Sequence, residues 1–92
     1  MRTGNSKNIS PLTTIEPATT LINEGKFLLI ITELPGIAEE KIKIDLEKNT
    51  VTIVASDTVI QYRKVITVPC EVGFCKKRFS DGILELTLEK KF

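Results

Sequence analysis

Lys26-Phe27-Leu28-Leu29-Ile30-Ile31-Thr32-Glu33-Leu34-Pro35-Gly36 opens the stretch that decides the fold, and Lys41-Ile42-Lys43-Ile44-Asp45-Leu46-Glu47-Lys48-Asn49-Thr50-Val51-Thr52-Ile53 completes it. The apolar run is too short for a helical core element and suits a strand buried on both faces, or nearly so. Pro35 lacks the N–H that a sheet ladder needs, and Gly36 tolerates positive φ, so the strand stops and turns there. Beyond the corner, Ile42, Ile44 and Leu46 share one face of an alternating strand, and Lys43, Asp45 and Glu47 share the other. A helix from Ala38 to Lys48 is the competing reading, because Glu and Lys are good helix formers. It fails on pattern: steps of two residues scatter the three apolar side chains around a helix, whereas a strand aligns them. Lys48-Asn49 supplies a turn, and Thr50 to Val54 alternates again.

Working outward, Ala18 to Ile22 reads as a first strand, and Asn23-Glu24-Gly25 as a turn with Gly25 at positive φ. Tyr62 to Val68 reads as a strand ending at Pro69, and Thr58 to Val68 as its longer version. Phe74 to Phe79 is a charged strand or edge. Ser80-Asp81-Gly82 is a hairpin turn, and Ile83 to Glu89 places Leu84, Leu86 and Leu88 on one face. About seven short strands, with turn signals every 8 to 12 residues or so, predict an all-β antiparallel sandwich. Residues 1–16 are rich in Thr, Ser and Asn, with Pro11 and Pro17 as breakers, and are expected to form a flexible N-terminal arm. Ile9, Leu12 and Ile15 recur in it at every third residue. Residues 17–92 are expected to form the sandwich, leaving no room for a second domain in 92 residues.

Composition narrows the function. Net charge is +1, from 13 basic and 12 acidic residues, so no bulk field points to nucleic acid or to anionic lipid. Tyr62 and four Phe are the only aromatics, which gives no stacking platform for bases. Met1 to Ser10 has no apolar segment of a secretory signal, and the longest apolar run, Phe27 to Ile31, is far below the roughly 20 residues of a spanning helix. A cytoplasmic protein with no nucleic-acid or membrane partner is expected.

Histidine is absent, which removes Ser-His-Asp and Cys-His pairs and all His-bearing metal motifs. The five glycines are isolated, so there is no phosphate loop. Cys70 and Cys75 are too few for a disulfide scaffold or a zinc site, and read as reduced thiols filling apolar gaps. The carboxylates alternate with apolar residues and belong on solvated faces. No catalytic residue, metal or cofactor is expected, and the protein reads as a non-enzyme. Lys76-Lys77-Arg78 reads as a charged guard on an edge strand. Apolar strand edges remain, which equip a small sandwich to hold another chain by strand addition or in side-chain pockets.

Five segments in order resemble the α-crystallin domain of small heat-shock proteins. They are Glu33-Leu34-Pro35-Gly36-Ile37, Ile42 to Leu46, Asn49 to Ile53, Tyr62 to Pro69, and Asp81 to Leu88, and the resemblance runs from about Pro17 to Lys90. It implies an immunoglobulin-like sandwich and ATP-independent holding of unfolding proteins. It also implies a protein-binding groove between the strands at Ile42–Leu46 and Phe74–Phe79, with Ile42, Ile44, Leu46, Phe74, Lys76 and Phe79 as candidate residues. A dimer edge is implied at Val59, Ile60, Tyr62 and Lys64, making a homodimer or small oligomer the expected assembly.

Four departures stand out. Ser56 to Gln61 replaces the long loop of microbial members, and its reach of about 20 Å is too short to exchange a strand with a partner. Lys64 stands where the family has Arg, Lys77 stands where it has Ala, and the chain ends at Phe92 with no Ile-x-Ile tag. Two readings follow: a holdase for unfolding client proteins, or an adaptor that binds one specific protein partner.

Overall fold

The computed structural model describes residues 13–91. Eight strands form two four-stranded sheets. They are β1 (Thr13–Ile15), β2 (Thr19–Glu24), β3 (Phe27–Glu33), β4 (Ile42–Glu47), β5 (Thr50–Ser56), β6 (Ile60–Thr67), β7 (Val72–Ser80) and β8 (Ile83–Lys90). Sheet one has the order β1-β6-β5-β4 and sheet two the order β2-β3-β8-β7. One turn of 3-10 helix, Glu39–Lys41, leads into β4. The all-β sandwich is as expected, with one strand more than the sequence suggests.

The additional strand comes from the end of the expected arm. Thr13, Thr14 and Ile15 pair in parallel with Ile60, Gln61 and Tyr62. Every other pairing is antiparallel. A parallel pair gives no tight hairpin in the sequence, so it leaves no turn signal to read. The Thr14 hydroxyl lies 3.5 Å from the Gln61 Oε1, and the exposed Ile15 stands beside the half-buried Tyr62. The rest of the expected arm, with Ile9 and Leu12, lies outside the described residues.

The core sits between the inner faces. Leu28, Ile30, Leu34, Val51, Ile53, Ala55, Leu84 and Leu86 are fully buried, and Val68, Val72 and Leu88 nearly so. Each large side chain among them contributes roughly 1.5–3 kcal/mol relative to exposure. Strand β3 departs from the expectation of burial on both faces. Leu28, Ile30 and Thr32 are buried, but Phe27, Leu29 and Ile31 are only half-buried, on the outer face of sheet two. The five-residue apolar run Phe27 to Ile31 is therefore a one-sided strand with an apolar outer stripe.

The corner at Pro35-Gly36 forms as the sequence predicts, with Gly36 at φ 77°. It packs on the β7–β8 hairpin turn, where Asp81 and Gly82 both have positive φ. The Leu34 N–H donates to the Gly82 carbonyl at 2.7 Å, which joins the two corners.

Candidate functional site

The strand order places β4 at one edge of sheet one and β7 at one edge of sheet two, on the same flank of the sandwich. Between them lies a groove of about 410 Å³ lined by Ile42, Ile44, Leu46, Phe74 and Lys77. The β4 residues stand opposite Ala55, Ile53 and Val51 of the core, so they face inward. With no strand among the described residues beyond β4 to cover them, they are half-buried. Phe74 stands opposite Leu88 and is 52% exposed.

A β-bulge in β7 settles which cation joins them. Phe74 pairs with Leu88 and Lys76 with Thr87, leaving Cys75 as the extra residue. From there the alternation of faces is inverted. Lys77 stands opposite the buried Leu86 and faces the groove, whereas Lys76 stands opposite Thr87 and faces outward. Lys76 lines a different depression of about 380 Å³ on the outer face of sheet two, with Phe27, Leu29, Cys75 and Glu85 among its walls. Phe79 faces inward opposite Leu84 and packs on the core rather than in the groove wall.

The groove position of Lys77 was not read from the sequence, although one signal for it exists. Phe74 and Phe79 are five residues apart and cannot share a face of a regular strand. Both face inward here only because the bulge adds one residue between them. The cysteines also differ from expectation. Cys70 is half-buried against the core, but Cys75, the bulge residue, is exposed and fills no apolar gap.

The residues expected at a dimer edge gather on the opposite flank. Ile60 and Tyr62 are half-buried on the stretch of β6 already paired with β1. Val59 is 64% exposed, and its carbonyl accepts from the Thr13 N–H at 3.1 Å. Lys64 faces inward and makes a 2.7 Å ion pair with Glu16, just past β1. Pairing of a second copy along Ile60 to Tyr62 therefore requires β1 to leave. Strands β5 and β6 form a hairpin in which Ser56 stands opposite Gln61. In its loop, the Asp57 carboxylate accepts 2.7 Å hydrogen bonds from the Val59 and Ile60 N–H groups. Those bonds, the one from Ile60 foremost, hold the Asp57 carboxyl below its ordinary value.

Among the described residues, no group of three or more His, Cys, Asp or Glu side chains is placed to hold a metal ion. None of their helices is long and apolar enough to cross a membrane. No buried side-chain nitrogen or oxygen among them lacks a hydrogen-bond partner.

No protein-family model and no curated protein matches the sequence. Solved structures do match. Heat shock protein 16.0 from Schizosaccharomyces pombe superposes with a TM-score of 0.74 at 18% identity, over 85% of this chain and 68% of that one. The Del-C4 mutant of hsp14.1 from Sulfolobus solfatataricus P2 superposes equally well, with a TM-score of 0.74 at 21% identity, over 84% of this chain and 77% of that one. HSP18.5 from E. histolytica gives a TM-score of 0.70 at 24% identity, over 83% and 88% of the two chains. The chain has the α-crystallin fold. At these identities the likeness is one of architecture, and it accords with the order of the five segments read from the sequence. On that fold this chain carries the tight Asp57 hairpin and the cation that the β7 bulge turns into the β4–β7 groove.

Proposed function

We propose that this protein is an ATP-independent holdase of the small heat-shock type, binding unfolding polypeptides in the cytoplasm through the groove between β4 and β7. The observation that carries the reading is the pairing of two edge strands with an apolar trough. Among the described residues, strands β4 and β7 each pair with one neighbour, and Ile42, Ile44, Leu46 and Phe74 present apolar surface between them. An extended, transiently exposed apolar segment gains side-chain burial in such a trough, and each edge offers it backbone hydrogen bonds. None of this requires nucleotide.

A second reading is an adaptor that binds one particular protein. It is favoured by the tight Asp57 hairpin and by β1, which together keep β6 within its own sheet and leave a small self-contained sandwich.

Light scattering of a heat-labile client, with this protein added at equal subunit ratio and no ATP, separates the two. Suppressed scattering is the expected result. Undiminished scattering, with this protein still folded at that temperature, overturns the holdase in favour of the adaptor.

A further inference from the structure

We infer that the β4–β7 groove selects extended segments carrying a carboxylate two residues from an apolar side chain, so that its preferred partners are acidic as well as apolar. This deepens the groove reading above and rests on it.

The inference starts from Lys77. The bulge at Cys75 turns this one cation of the Lys76-Lys77-Arg78 run into the groove, while Lys76 faces the opposite side of the sheet. The groove wall is otherwise apolar, made of Ile42, Ile44, Leu46 and Phe74. Among the described residues, the salt bridges are Lys26 with Glu89 and Lys64 with Glu16, so Lys77 has no carboxylate partner there. The acidic residues of β4, Asp45 and Glu47, stand opposite Thr52 and Thr50 on the outer face of sheet one and do not line the trough.

The spacing defines the motif. Phe74 and Lys77 stand opposite Leu88 and Leu86, which are neighbours on one face of β8. They are therefore about 7 Å apart along the strand, the rise of two residues in an extended chain. A segment lying in the groove with an apolar side chain on Phe74 brings the residue two positions away onto the Lys77 ammonium. A carboxylate there forms a charge-assisted hydrogen bond that is partly desolvated by the segment itself. A cation at that position faces like charge, and an amide offers only the weaker ion–dipole contact.

The test uses the full chain and three synthetic peptides measured by fluorescence anisotropy. They are acetyl-Glu-Thr-Ile-Thr-Ile-Thr-Glu-amide and the same peptide with Gln or with Lys at both ends, so that either chain direction presents the end group to Lys77. The Glu peptide is expected to bind about three- to tenfold more tightly than the Gln peptide, with the advantage shrinking as salt rises. Lys77→Gln is expected to abolish the difference, and Lys77→Glu to turn the preference toward the Lys peptide. Lys77 is exposed, so both variants are expected to melt where the parent does.

Equal binding of all three peptides overturns the acidic preference while leaving an apolar groove in place. A preference that survives Lys77→Gln also overturns it. Binding of none of them overturns the groove reading together with the preference.

Discussion

At the residue scale, two glycines with the same backbone angle carry different constraints. Gly36 and Gly82 both have φ of 77°. A Cβ added at Gly36 meets nothing within 4 Å, whereas one at Gly82 comes within 3.3 Å of the Pro35 Cα. Alanine at either site bears the penalty of left-handed backbone, about 1–2 kcal/mol. At Gly82 it also presses two corners apart where the Leu34 N–H meets the Gly82 carbonyl. Gly36→Ala is expected to cost about 1 kcal/mol and Gly82→Ala roughly 2–3 kcal/mol, compared by urea unfolding midpoints. Equal losses would show that the contact between corners carries no weight. The sequence marks both positions as turns, since Pro-Gly and Asp-Gly are local signals of positive φ. That the two turns touch is a tertiary fact, and no dipeptide encodes it.

At the scale of the element, the β5–β6 hairpin depends on an ionised side chain. The Asp57 carboxyl is held below its ordinary value of 3.8 by the Ile60 and Val59 N–H groups. Its ionised form therefore stabilises the hairpin above that value, and the contribution disappears as pH falls through the lowered one. Asp57→Ala is expected to lower the melting temperature by a constant amount near neutrality, and the gap to the parent is expected to close as pH drops below about 4. A gap that persists unchanged into acid would assign the loss to loop geometry instead. The strands themselves were legible wherever apolar and polar residues alternate: β4, β5 and β8 lie close to their expected places because a period of two admits one reading. Three features were not legible for reasons of the same kind. In β3, Phe27 to Ile31 are apolar on both faces, and the sequence does not state whether a face is covered. Strand β1 is three residues long and joins its sheet in parallel. The Cys75 bulge inverts β7 partway, so regular alternation from Phe74 points to Lys76 where the structure has Lys77.

At the scale of the whole molecule, the two flanks of the sandwich are built differently. On one flank, β1 lies along β6 and the Lys64–Glu16 ion pair spans the gap at 2.7 Å. Leu21 on β2 remains 42% exposed and Ile15 on β1 37% exposed. On the other flank, β4 and β7 leave a continuous apolar trough. The trough is continuous with the core, since Ile44 packs against the buried cluster and stands directly opposite the fully buried Ile53. Stability and the proposed binding therefore share one layer of side chains. Ile44→Glu tests how far they separate. The carboxylate can reach solvent from a half-buried edge position, so the expected cost is about 1–2 kcal/mol, below the roughly 2–5 kcal/mol of truncating Ile53 to alanine in the dry core. Client holding is expected to fall much further than that stability loss accounts for, because a fixed negative charge then sits in the trough. Urea unfolding of both variants, paired with client scattering at a temperature where Ile44→Glu stays folded, distinguishes the cases. Full holding by folded Ile44→Glu would remove the β4–β7 trough from the binding surface and direct attention to the apolar outer stripe of β3, where Phe27, Leu29 and Ile31 lie half-exposed on sheet two.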